Sequence, residues 1–236
     1  MRHHTLFTIL LAALPFTSTK DISLQWAICD RSPQETLVKL GLDSSTHPYK
    51  ESPITYYDEW PPIHLFSGLM FRTKTNKGHP LSTVKVRFRE KTSDVPDYVK
   101  CGWARYGYNP PTYTCEKRCF LDPTHPGKIW QGEQMQLAQQ YGHVNWTALA
   151  AYGPYPNAKW KVWIDGYLTK FDDVVTGKLH LMEVEAQVPE AIADQVLEAT
   201  GRYLRDRGVV LCETQEGKTM RLFRAMGYLD NGNEEL

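Results

Sequence analysis

The spacing of apolar and polar positions changes period several times along the chain, and each change marks an element. Over residues 22–29 it alternates, with Ile22, Leu24, Trp26 and Ile28 on one parity and Ser23, Gln25, Ala27 and Cys29 on the other, as in a half-buried strand. Asp30 or Ser32 then caps a short helix that opens at Pro33 and stops at Gly41. Further strands are predicted over residues 54–58, 68–75 and 82–89, the last two joined through Asn76-Lys77-Gly78. Residues 158–164 and 167–174 flank Asp165-Gly166, a pair suited to the positive φ angles of a tight hairpin turn. Thr176-Gly177 turns the chain into residues 179–188. Helical spacing covers residues 130–141 and 189–207, a shorter helix is expected from Asn145 to Tyr152, and a last one over residues 219–226. Residues 208–212 read as one more strand. The expected architecture is α+β, an antiparallel eight-stranded β-barrel or tunnel with helices packed outside.

Parity decides which charges share a face. In residues 179–188, Leu181, Glu183, Glu185 and Gln187 alternate with His180, Met182, Val184 and Ala186, so two carboxylates leave one side of a strand roughly 7 Å apart. Arg72 and Lys74 share a face, as do Lys85, Arg87 and Arg89, and so do Lys159 and Lys161. If the barrel closes, these cations must meet carboxylates or an anion, because an unpaired buried charge is costly. Trp26, Trp160, Trp163, Tyr167 and Phe171 could stack on an organic ligand, although core packing is the commoner use of strand aromatics.

The 27 basic and 27 acidic residues cancel, which argues against a strongly basic nucleic-acid binder and leaves any electrostatic function to local segregation. The N-terminus has a short basic start, an apolar run of about a dozen residues and small polar residues after it; it reads as a secretory signal over residues 1–19, and no other segment is long and apolar enough to span a membrane. The remainder, 20–236, is read as one domain carrying a cysteine-rich insertion at about 90–127, a crosslinked excursion without a sustained period. In an oxidising lumen the five cysteines would form disulfides and leave one odd thiol, with pairing expected inside the Cys101, Cys115 and Cys119 cluster. Asn145-Trp146-Thr147 is a glycosylation sequon that agrees with secretion.

Taken in order, Tyr56-Tyr57-Asp58, Gly68-Leu-Met-Phe-Arg72, Val84-Lys-Val-Arg87 and the run from Phe171 through Asp172 to Glu183-Val184-Glu185 resemble the motifs of the CYTH, or triphosphate tunnel, family. The resemblance implies a tunnel that binds polyphosphate. Arg72, Lys74, Lys85, Arg87, Lys159 and Lys161 would be its anion contacts, and Glu183, Glu185 and Asp172 would hold magnesium or manganese in a phosphohydrolase. The family's opening Glu-x-Glu-x-Lys is not matched, since that face carries Ser23, Gln25 and Ala27. The leading expectation is therefore a secreted protein that binds a small polar or anionic organic molecule without a cofactor, with triphosphate hydrolysis weakened or lost. Glu183 or Glu185 could serve as acid or base in a transformation of that ligand. A metal-dependent tripolyphosphatase or nucleoside triphosphatase, and a non-catalytic extracellular binding module, are the alternatives.

Overall fold

A computed structural model of the protein describes residues 21–125 and 127–229; the signal-sequence reading of residues 1–19 lies outside the described residues. In chain order the elements are β1 (Asp21–Ile28), α1 (Pro33–Lys39), β2 (Lys50–Glu51), β3 (Ile54–Asp58), β4 (Leu69–Asn76), β5 (His79–Phe88), β6 (Lys100–Tyr106), β7 (Thr112–Phe120), α2 (Gly132–Tyr141), β8 (Ala150–Tyr155), β9 (Asn157–Ile164), β10 (Tyr167–Thr176), β11 (Leu179–Pro189), α3 (Ala193–Asp206) and α4 (Lys218–Ala225).

The strands form one sheet in the order β2-β9-β10-β11-β1-β6-β7-β5-β4-β3-β8. Every pairing is antiparallel except β1 with β6. This corrects the expected closed eight-stranded barrel: the sheet has eleven strands and its ladder is open, ending at β2 and β8. Two local causes account for the difference. The cysteine-rich insertion, expected to lack regular structure, supplies β6 and β7, which lie between β1 and β5. Pro53 and Pro156, which have no N–H to donate, separate β2 from β3 and β8 from β9, so what would be two long strands become four short ones. The sheet nonetheless curls, since residues of β3 and β4 face the same cavity as residues of β9, β10 and β11.

Turn chemistry sets the register of the two hairpins read from sequence. Lys77 and Gly78 at φ 50° and 82° close β4 onto β5, and Asp165 and Gly166 at 47° and 80° close β9 onto β10. Two other expectations fail. Residues 208–212 contribute only an isolated bridge between Ile28 and Leu211, and the helix expected from Asn145 to Tyr152 is replaced by a turn leading into β8. Asn145 spends its side-chain oxygen on Thr147 N and Oγ1, at 3.2 and 2.8 Å, which shapes that turn and leaves no helix to cap.

Apolar residues sit mainly on the outer face of the sheet. Trp26, Trp160, Phe171 and Val184 pack beneath α1 and α3, and Phe71, Val84 and Val86 beneath α2; a further apolar cluster, in which Val174 and Leu181 meet Met220 and Phe223 of α4, lies instead on the face that carries Asp172 and Glu183. Cys29 and Cys212 form a disulfide, as do Cys101 and Cys115, and Cys119 is the free thiol. The pairing expected inside the insertion is thus present. Among the described residues no helix is long and apolar enough to cross a membrane.

Candidate functional site

With most apolar strand residues packed outward, the inner face is mainly polar, apart from an apolar cluster of Ile54, Tyr56, Met70 and Val174 against α4. It bounds a cavity of about 730 Å³ lined from nearly every strand and from the start of α4. Strand alternation selects the lining: Met70, Arg72 and Lys74 of β4, Lys85 and Arg87 of β5, Lys159 of β9, Lys170 and Asp172 of β10, and Glu183, Glu185 and Gln187 of β11 all face inward. Among the described residues, eleven basic and five acidic side chains line it, although the whole chain has no net charge.

The charges are not evenly mixed. On one wall the carboxylates are already satisfied. Asp172 forms an ion pair with Lys159 and accepts from Asn157 Nδ2 at 2.7 Å, while Lys218 Nζ reaches Asp172 at 3.1 Å and Glu183 at 3.0 Å. Glu185 accepts from Ser23 Oγ at 3.1 Å and lies 3.6 Å from Lys170. Burial disfavours its charge, but Lys170, Lys218 and the Ser23 hydrogen bond outweigh that, so its carboxyl titrates below the usual range. Gln25 Nε2 donates to Ser23 at 3.1 Å, so the first strand contributes amide and hydroxyl groups to this wall.

The opposite wall, made by β4, β5, β6 and β7, carries Arg72, Lys74, Lys85, Arg87, Lys100 and Arg118, with Glu116 the one carboxylate these strands bring to it among the described residues. Burial opposes ionisation of Glu116, but Arg72, Arg118 and Lys85 together hold its pKa below the usual value. Arg87 donates to the Tyr106 hydroxyl at 3.1 Å. The buried Nε of Arg72 has no hydrogen-bond partner among the described residues. Arg72, followed by burial, brings the Lys74 ammonium down to about 7, and burial, followed by Arg87 and Arg72, does the same to Lys85. Lys159 is also lowered, by burial and then by Lys218, Lys74 and Arg72, despite its contact with Asp172. Among the described residues, Arg72, Lys74, Lys85 and Arg118 of this wall share one carboxylate, Glu116.

The residues expected from sequence therefore gather here with one exception. Lys161 is exposed and lies outside the lining, with its ammonium 5.3 Å from the centre of the Tyr49 ring. It has the parity of Lys159 but sits one step farther along β9, toward the hairpin tip. Sequence reasoning missed Lys218, because a lysine at a helix start gives no strand-parity signal. It also missed Lys100, Glu116 and Arg118, because they fell in the insertion read as irregular; alternation of Thr112, Thr114, Glu116 and Arg118 was the signal available.

No family model matches the chain, and no curated protein matches it. Solved structures do. A candidate adenylyl cyclase from Hippeastrum, described as having a dominant triphosphatase activity, superposes with a TM-score of 0.54 at 14% identity, covering 91% of this chain and 99% of that one. A candidate adenylate cyclase from Bacillus halodurans gives 0.60 at 11% identity, covering 87% and 98%. The fold is that of the triphosphate tunnel proteins. At these identities the likeness concerns the fold alone.

Within this tunnel fold the chemistry must come from the side chains present. Magnesium and manganese require several oxygen ligands carrying negative charge. Asp172 and Glu183 are engaged by Lys159 and Lys218, Glu185 by Ser23 and Lys170, and no group of three His, Cys, Asp or Glu suited to a metal occurs among the described residues. The donor set as arranged does not fit a resident divalent cation.

The cationic wall carries a pH signature. The folded-state pKa values of Lys74 and Lys85 lie well below the ordinary 10.5, so between about 7 and 10.5 the folded chain binds fewer protons than the unfolded one. Stability of the ligand-free protein is therefore expected to rise with pH across that window. Sulfate, whose charge is constant there, should stabilise the fold more at about pH 6 than at about pH 9. Thermal melts with and without sulfate test both statements; the pH slope should flatten in a Lys74→Met, Lys85→Met variant, and an unchanged slope would refute the assignment.

Proposed function

We propose that this is a protein of the secretory pathway, folded as a single domain, that binds a small polyanionic molecule in its tunnel, with metal-dependent phosphohydrolysis weakened or lost. The observation that carries the reading is the cationic excess of the cavity, eleven basic against five acidic side chains among the described residues, in a chain of zero net charge. An anion on the wall of Arg72, Lys74, Lys85 and Arg87 would let both lysines keep their protons and give the Arg72 Nε an acceptor. Lys159 and Lys218 would contact its far end. The two disulfides and the exposed Asn145 sequon support the secretory setting.

If the bound molecule is transformed, Glu185 supports the role of general base best among the carboxylates. It lines the cavity, is held in the charged form and retains 28% side-chain exposure, whereas Glu183 is tied to Lys218. The metal-dependent triphosphatase reading draws on the activity named for the Hippeastrum protein. In this chain it would require Lys159 and Lys218 to release Asp172 and Glu183 to a metal brought in with the substrate.

Inorganic tripolyphosphate is the first probe. Calorimetry should show one bound molecule per chain, with affinity that falls steeply as salt rises and drops at least tenfold in Arg72→Ala or Lys85→Ala. No binding at millimolar tripolyphosphate would sink the proposal. Phosphate release with magnesium or manganese above a heat-killed control, abolished by Glu183→Gln, would establish the triphosphatase reading in its place.

A further inference from the structure

The cavity-facing side of the β9–β10 hairpin continues past the mouth. On β9 that face runs through Asn157, Lys159, Lys161 and Trp163, and on β10 through Leu168, Lys170 and Asp172. The opposite face, with Trp160, Val162, Ile164 and Phe171, is the one buried under the helices. Trp163 and Leu168 are cross-strand partners and remain 66% and 50% exposed, just beyond the Lys161–Lys170 pair. Of the five strand aromatics that could serve a ligand, Trp26, Trp160 and Phe171 are buried and Tyr167 packs against the same core. Only Trp163 combines exposure with the cavity parity.

The lip is continuous with the anion site. Tyr49 lines the cavity, is 48% exposed and carries the Lys161 ammonium over its ring. Its neighbour Lys50 also lines the cavity and adds to the field of cations acting on Lys74. A path thus runs from the phosphate-binding wall through Lys50 and Tyr49 to Lys161, Lys170, Trp163 and Leu168. It passes from cationic, through cation and aromatic together, to apolar and aromatic. Inorganic polyphosphate has no group that uses the last part.

We propose that Trp163 and Leu168, with Tyr49, form an outer subsite for a planar aromatic group, so that the ligand is an organic polyanion with its charged end inside the tunnel and its ring on the hairpin lip. This rests on the tunnel binding polyanions, as proposed above. Stacking on an indole tolerates many ring systems, because it reads a π face and not a hydrogen-bond pattern. Lys161 then has a function despite lying outside the cavity: its charge over Tyr49 strengthens the field at the junction between ring and phosphate.

The test compares two probes, ATP and inorganic tripolyphosphate, by calorimetry on the full chain. The wild type should bind ATP about tenfold more tightly than tripolyphosphate, the increment expected when one base stacks on one aromatic side chain. Trp163→Ala should remove that increment and leave tripolyphosphate affinity unchanged; Trp163→Phe should retain most of it, and Leu168→Ala should lose part. Arg72→Ala should weaken both probes equally. Equal affinity for the two probes in the wild type, or the same loss for both in Trp163→Ala, would overturn the lip subsite while leaving the tunnel site standing. Failure of both probes to bind the wild type would remove the tunnel reading and the lip with it, and binding of tripolyphosphate without ATP would remove the lip alone.

Discussion

Lys218→Met is expected to cost about 3 to 5 kcal/mol of folding stability at neutral pH, the range for breaking a buried ion pair by deleting one partner. Lys218 keeps 17% of its side-chain surface exposed, and the Asp172 and Glu183 carboxylates that it bridges keep only 6% and 7%. Asp172 would retain Lys159 and Asn157, but Glu183 would lose the cation that faces it. A chain of this size loses about 2 to 4 °C of melting temperature per kcal/mol, so a fall on the order of 10 °C is expected. Adding Glu183→Gln should restore much of the loss, because the double variant removes the uncompensated charge together with its partner. A single variant as stable as the parent, or a double variant less stable than the single, would show that Lys218 is not what neutralises this wall.

Opening the Cys29–Cys212 bridge should have a comparable effect by a different route. The bridge closes a sequence separation of 183 residues. Chain entropy alone assigns a loop of that size about 5 kcal/mol, of which native bridges deliver about 2 to 5. It ties the last residues of the β1 region to the segment after α3, where Cys29 N donates to Val210 O at 2.7 Å and Cys212 N to Ala27 O at 3.0 Å. Those backbone bonds lie beside the β1–β11 ladder that holds Glu183 opposite Ala27 and Glu185 opposite Gln25. Cys29→Ser with Cys212→Ser should therefore lower the melting temperature by about 10 °C and loosen the carboxylate wall, weakening tripolyphosphate binding. Cys119→Ser, at the free thiol, serves as the control and should melt with the parent. A melting temperature that does not respond to loss of the bridge would refute its structural role.

The proposed ligand and the observed wall explain each other in physical terms. Cations kept close without anions must shed protons or stay hydrated, and Lys74 and Lys85 are brought down to about 7. A polyanion reverses that balance at once, which is why ligand, salt and pH are the informative variables for this protein. The carboxylate wall behaves differently because its charges are already matched within the fold.

Much of this was legible in the chain. The alternation of Lys85, Arg87 with Val84, Val86, and of Glu183, Glu185 with Met182, Val184, reports which side of each strand is inside, because a two-residue period maps directly onto two faces. Lys77-Gly78 and Asp165-Gly166 set two hairpin registers through backbone conformations available at low cost to few residues. Asn145 misled, since a side chain that can cap a helix can equally close a turn.

Parity and turn chemistry are local, and to that extent the sequence alone determined β1, β3, β4, β5, β9, β10 and β11, the faces their charges take and the cationic character of the site. What only the tertiary structure decided was non-local. The inserted hairpin took its place between β1 and β5 and brought Glu116 and Arg118 to the cavity. Pro53 and Pro156 opened the ladder. Lys218 arrived from a helix 35 residues beyond Glu183 to occupy the carboxylates that the resemblance had assigned to a metal. Which charge neutralises which depends on distances across the tunnel, and no one-dimensional period carries that information.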